Sequence, residues 1–131
     1  MTGARIVDTA LCDLVARMLV ANGLSFTAVG QALDLSPETV TNLEDGIITP
    51  LRSAERERLI LFCAIMIRLE IRLGFDACAV RQILDTPQAV LGDRTPLVAM
   101  ADGLDGLRAV HRLASEMAVP ATRWWRTGHN R

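Results

Sequence analysis

The chain contains no lysine, only two histidines (His111 and His129), three cysteines and few aromatic residues, two Trp and three Phe. Each shortage removes a class of function. Without lysine there is no Walker-type phosphate loop, and every fixed positive side chain is an arginine. Two distant histidines, with no HExxH, GxSxG or paired-cysteine motif, leave no nucleophile, base or metal cluster in mutual reach. No enzyme and no cofactor are expected. Cys12, Cys63 and Cys78 are odd in number and far apart, which argues against a disulfide framework or zinc site and for buried free thiols in a reducing compartment. Apolar runs are short as well. Leu59 to Ile67 spans nine residues before Arg68, where a bilayer needs about 20. Asp8 and Asp13 interrupt the stretch in which a secretory signal would be sought. A soluble cytoplasmic protein with no membrane association is the expectation.

What is present suffices for a core. Half of the 131 residues are apolar, enough for one compact unit or two small subdomains sharing an interior. The net charge of −1 is unevenly spread. Residues 1–50 set Arg5 and Arg17 against Asp8, Asp13, Asp34, Glu38, Glu44 and Asp45, a balance of −4, which leaves +3 for the remainder.

The periodicity is helical throughout, and no period-2 alternation marks a strand. Leu11, Leu14, Val15, Met18 and Leu19 share one helix face, and Asn22-Gly23 ends that helix. Ser25 caps a second helix carrying Val29 and Leu33 inward. Ser36 caps a third with Pro37 at its first position, and Gly46 stops it. Ser53 is the expected cap of a long fourth helix to about Leu73, closed by Gly74. Its middle, LILFCAIMI, is apolar on every side and needs cover all round, from its own domain or a second copy. Asp76 caps a fifth helix through Leu84. Thr86-Pro87 and Thr95-Pro96 are two cap-plus-proline breaks nine residues apart, with Gly92 permitting a sharp reversal between them. The helix opened by Thr95 is expected to end near Gly103 or Gly106, and a last one to run from about Leu107 to Ala118. The fold class is therefore all-α.

Two segments resemble known families. Residues 24–50, LSFTAVGQALDLSPETVTNLEDGIITP, are similar to the Xre-type helix-turn-helix. Gly30 stands at the small position where two helices approach, Leu35 at the apolar turn, Val40 at the buried site of the recognition helix, and Glu44, Gly46 and Pro50 at the usual ending. Residues 83–97, ILDTPQAVLGDRTPL, resemble the centre of the toxin-binding domain of Xre/MbcA/ParS-type bacterial antitoxins. The matching positions are Leu84, Thr86, Pro87, Leu91, Gly92, Arg94, Thr95, Pro96 and Leu97. Ile83, Gln88 and Asp93 stand where that pattern has Trp, Asn and Gly. The resemblance implies a helix-turn-helix over 1–52, a connecting helix over 53–73, a toxin-binding helical domain over 74–119 and a Trp/Arg tail over 120–131. It also implies a partner, a RES-type toxin that consumes NAD and is neutralised by steric blockage.

The candidate DNA-contacting residues are Ser36, Glu38, Thr39, Thr41, Asn42 and Arg52. Asn42 has the chemistry to read an adenine edge, and the threonines a thymine methyl or a phosphate. Yet the recognition helix carries no arginine, and an acidic half works against phosphate neutralisation. Operator binding and retention as a scaffold both stay open, with Arg52, Arg56 and Arg58 as phosphate contacts or as a solvated face. The candidate partner-binding residues are Thr86, Pro87, Arg94, Thr95, Pro96, Arg123, Trp124, Trp125 and Arg126. Arg94 has two readings, bonding the carbonyls of the preceding helix or holding a partner's carboxylate. The adjacent tryptophans have two readings, one Trp folding back only to seal the domain or the other also anchoring a partner. His111 reads as a surface residue. Besides the toxin, a homodimer is expected. The rival readings are a stand-alone dimeric helix-turn-helix regulator and a non-catalytic adaptor.

Overall fold

The computed structural model describes residues 2–47 and 50–117. Among them the chain is all-α. α1 spans Thr2–Ala21, α2 Phe26–Ala32, α3 Pro37–Asp45, α4 Ser53–Arg72, α5 Ala77–Leu84, α6 Pro96–Met100 and α7 Leu104–Glu116, with a 3-10 turn at Ala89–Leu91. No described helix is long and apolar enough to cross a membrane.

The caps explain most boundaries. Ser25, Ser36, Asp76 and Thr95 each accept a hydrogen bond from the backbone N–H three residues on, at 3.1 Å in every case. α1, α3 and α4 end alike: Leu24 N–H donates to the Leu19 carbonyl, Ile47 to Asn42 and Phe75 to Glu70. A left-handed glycine at Gly23, Gly46 and Gly74 makes those six-residue closures possible.

Three boundaries and one face differ from expectation. Ser53 is the first helical residue of α4 and not its cap; Arg52 holds the cap position without a side-chain hydrogen bond. α6 ends at Met100, and α7 begins at Leu104, three residues before Leu107. The break falls at Gly103, whose φ of 91° and ψ of −150° leave helical space. Gly106 lies inside α7, where it allows contact with α6: a Cβ there would fall 1.9 Å from the Ala99 carbonyl oxygen. Leu14 is 40 % exposed, because α1 buries Leu11, Val15, Met18 and Leu19 and turns Leu14 past the edge of that face.

α4 is the pillar. Leu59, Phe62, Cys63, Ile65, Met66 and Leu69 are buried on it, with α1 and α7 packed alongside. One cluster joins them to Val29, Leu33 and Leu43 from α2 and α3 and to Val80, Leu84, Met100, Leu107 and Val110 from α5 to α7. α2 also touches α6, so the two halves of the described chain share an interior. The other side of α4 stays open: Ile60, Ile67 and Ile71 are exposed. Among the described residues the cover that so apolar a helix requires is therefore incomplete.

α2 and α3 meet at Gly30, where a Cβ would stand 2.3 Å from Cγ2 of Val40. Gly30→Ala is expected to cost about 2 kcal/mol, the scale of overpacking in a tight contact. Val40→Ala made in addition should recover part of that loss, so the double variant will be less destabilised than the two single changes together. Urea denaturation of the four proteins checks this; strict additivity would refute the close approach.

Candidate partner-binding surface

Two buried carboxylates, neither anticipated from sequence, organise the amino-terminal half. Asp8 on α1 accepts from Arg56 Nε at 2.6 Å, from the second Arg56 nitrogen at 3.0 Å and from the Leu51 N–H at 3.0 Å. Arg56 also donates to the Leu51 carbonyl at 3.1 Å. The pair clamps α1 to the first turn of α4 and fixes the chain entering it. The Arg56 guanidinium bonded to it holds the Asp8 carboxyl below the ordinary range, with the Leu51 N–H helping against the opposing effect of burial.

Glu55 is 3 % exposed and reaches from α4 to the amino-terminal end of α3. Its carboxylate accepts from the Ser36 N–H at 3.0 Å and from the Thr39 hydroxyl at 3.0 and 3.2 Å, with Arg52 Nε 3.6 Å away. Burial acts to raise its pKa, but the Ser36, Thr39 and Arg52 bonds outweigh it and the net shift is downward. A carboxylate at a helix amino terminus is favoured by the helix dipole. Here it takes up the Ser36 N–H and the Thr39 hydroxyl, two donors at that end of the candidate recognition helix, and sets a negative charge where a DNA phosphate would approach.

The six candidate DNA residues are thus divided. Ser36 and Thr39 belong to the Glu55 network, and Arg52 sits beside it with its side chain largely exposed. Glu38 and Thr41 face solvent together with Glu44 and Asp45, and Asn42 is half-buried. Arg56, considered as a phosphate contact, is turned inward by Asp8, and Arg58 lies 3.7 Å from Asp34. The exposed surface of α3 therefore carries three carboxylates and no cation.

The carboxy-terminal half holds a rigid reversal. Gln88 N–H donates to the Arg94 carbonyl at 3.0 Å and Asp93 N–H to the Gln88 carbonyl at 3.0 Å, while Gly92 and Asp93 both take positive φ, 71° and 61°. Arg94 closes the loop from outside: its Nε donates to the Leu91 carbonyl at 3.0 Å and its guanidinium pairs with Asp102 beyond α6. This is the local role considered for Arg94, extended by a partner the sequence did not suggest. Thr95 caps α6, and Pro96 is buried beneath it. Thr86 is not a cap; its hydroxyl donates back to the Gln82 carbonyl at 2.6 Å. Thr86 and Pro87 are exposed, and Arg94 keeps its side chain 43 % exposed.

Two apolar residues flank this reversal in solvent, Val90 at 76 % and Val98 at 55 % exposure. Reading for motifs passed over both. For Val98 a signal existed: α6 turns Pro96, Ala99 and Met100 inward, which leaves position 98 facing out. For Asp8 the signal was its position in register with Leu11, Cys12, Val15 and Leu19, a carboxylate on an apolar face. Arg123, Trp124, Trp125 and Arg126 lie outside the described residues. His111 is half-buried, while Cys12 and Cys63 are buried as expected and Cys78 is exposed. Burial raises the Cys63 thiol to about 11 and also pushes Cys12 up, which keeps both protonated. Cys78 lies in α5 beside Arg81, 3.3 Å from its guanidinium, so burial of all three thiols does not hold. Among the described residues no group of His, Cys, Asp and Glu has the arrangement of a metal site.

No family model matches the chain, and no curated protein matches it either.

Because Asp8 and Glu55 are both lowered, the stability they supply is complete above the unfolded carboxylate values near 4 and is lost as pH falls through their folded values. The melting temperature should be level from neutral pH into the mildly acid range and drop below about pH 4. Asp8→Ala, which leaves the Leu51 N–H without its acceptor, should cost about 2 kcal/mol at neutral pH and flatten the acid slope. Calorimetry across pH checks both; an unchanged slope would remove Asp8 from this role.

Proposed function

We propose that the chain is an antitoxin-type binding protein, which captures a RES-type, NAD-consuming toxin and silences it by covering the toxin's nucleotide pocket. The observation that carries this reading is the reversal at 86–98. Its backbone is fixed by internal hydrogen bonds, yet it presents Val90 and Val98 around the partly exposed Arg94. Exposed branched apolar residues beside an arginine fork suit a protein partner better than solvent. The 83–97 resemblance supplies the partner class. Since Arg94 already holds Asp102, a partner's carboxylate would compete for the guanidinium or share it.

In this reading the amino-terminal helices serve as a scaffold. Three exposed carboxylates on α3 and the Glu55 plug disfavour DNA, since affinity for a duplex comes largely from neutralised phosphates. Cytoplasmic localisation belongs to the same proposal.

Co-expression with a RES-type toxin is the test. The intact chain should rescue growth and co-purify with the toxin, and Val90→Glu with Val98→Glu should abolish both while leaving the melting temperature unchanged. Rescue by the double variant would sink the proposal; absence of a complex with any RES-type toxin would favour an adaptor of another kind. In fluorescence anisotropy at low salt, DNA from the upstream region of the chain's own gene should go unbound. Tight, salt-sensitive binding would instead favour the regulator.

A further inference from the structure

Along α4, Ile60, Ala64, Ile67 and Ile71 follow one another at i, i+4, i+7 and i+11, the spacing of a coiled-coil seam. The three isoleucines are 48 %, 43 % and 53 % exposed. α1 flanks one edge of this seam, running parallel to α4, with Asp8 on Arg56 near one end and Asn22 Nδ2 3.4 Å from Glu70 near the other. α7 flanks the opposite edge, held where Arg72 donates to the Ser115 carbonyl at 2.8 Å. Neither helix covers the isoleucines. Beyond the end of α4 Phe75 is 73 % exposed, and α1 exposes Val7 and Leu14 at 50 % and 40 %.

We propose that this face joins two copies of the chain by antiparallel pairing of their α4 helices, independently of any toxin. The seam matches itself. Setting Ile60 against Ile71 of the second copy places Ala64 against Ile67, so every layer is apolar and the small residue always meets a large one. The extent is also sufficient. Ile60, Ile67, Ile71, Phe75, Val7 and Leu14 together offer on the order of 1,000 Å² over two copies, the lower bound for a specific interface.

Sedimentation velocity of the full chain across micromolar concentrations provides the test, with helicity followed by circular dichroism. The expected result is a dimer. Ile67→Glu should weaken association by about 100-fold, since it buries an unpaired charge at the seam, with helicity retained because the residue is half in solvent in the monomer. Ile60→Glu and Ile71→Arg should each weaken association by about 100-fold, and their combination should recover about 10-fold, because position 60 of one copy faces position 71 of the other only in the antiparallel direction. That paired exchange keeps the proposal testable if Ile67→Glu fails to fold. A monomer at every concentration overturns the proposal, as does a dimer indifferent to Ile67→Glu. A monomeric full chain that dimerises once truncated after Met117 also overturns it, because residues 118–131 would then be the cover. Loss without recovery in the paired exchange excludes the antiparallel direction.

Discussion

The burial of one face of α4 is the constraint on which the rest of the structure depends. Phe62, Ile65 and Met66 are removed from solvent inside one cluster, with α1 and α7 packed along α4 and the shorter helices completing it. Burying side chains of this size is worth roughly 1.5–3 kcal/mol each, which in a chain of this length is a large share of any net stability. Neither half can withdraw from α4 without exposing what the other half also uses. Contact between α2 and α6 closes the arrangement.

Against that apolar background the two buried carboxylates have a different role. Removing a charge from water is costly unless it is paired and fully hydrogen-bonded. Asp8 and Glu55 are both provided for, each by donors from a second segment of the chain. Their contribution is positional. Asp8 fixes where α4 begins relative to α1, and Glu55 fixes the start of α3 relative to α4. The face of α3 presented to solvent follows from those two anchors, and it is a negative one.

Much of this was legible beforehand because helix punctuation is local. Ser25, Ser36, Asp76 and Thr95 cap where serine, aspartate and threonine ahead of an apolar period should, and the close approach at Gly30 was read from its place in the helix-turn-helix resemblance. Errors arose where a residue that can punctuate a helix was used otherwise. Ser53 looks like a cap, but Arg52 takes the bend. Gly106 looks like a stop, but it lies inside α7 because the carbonyl of Ala99 leaves no room for a side chain. Thr86 precedes a proline as a cap would, yet bonds backwards. The candidate surface at 86–98 was half legible. Its backbone bend could be read from Gly92 and the two prolines, whereas the Arg94–Asp102 pair joins residues across α6 that no spacing rule connects. Val90 and Val98 were hidden because exposure is a property of the fold.

The contact of Gly106 with Ala99 has a kinetic consequence. α6 is only five residues long, too short to hold helical form in water by itself. Against α7, with no side chain at Gly106 between them, its helical form is supported by packing. Val98 is thus displayed from a surface already set. A visiting macromolecule would forfeit little conformational entropy there, and collisions would be limited by orientation rather than by waiting for a segment to fold.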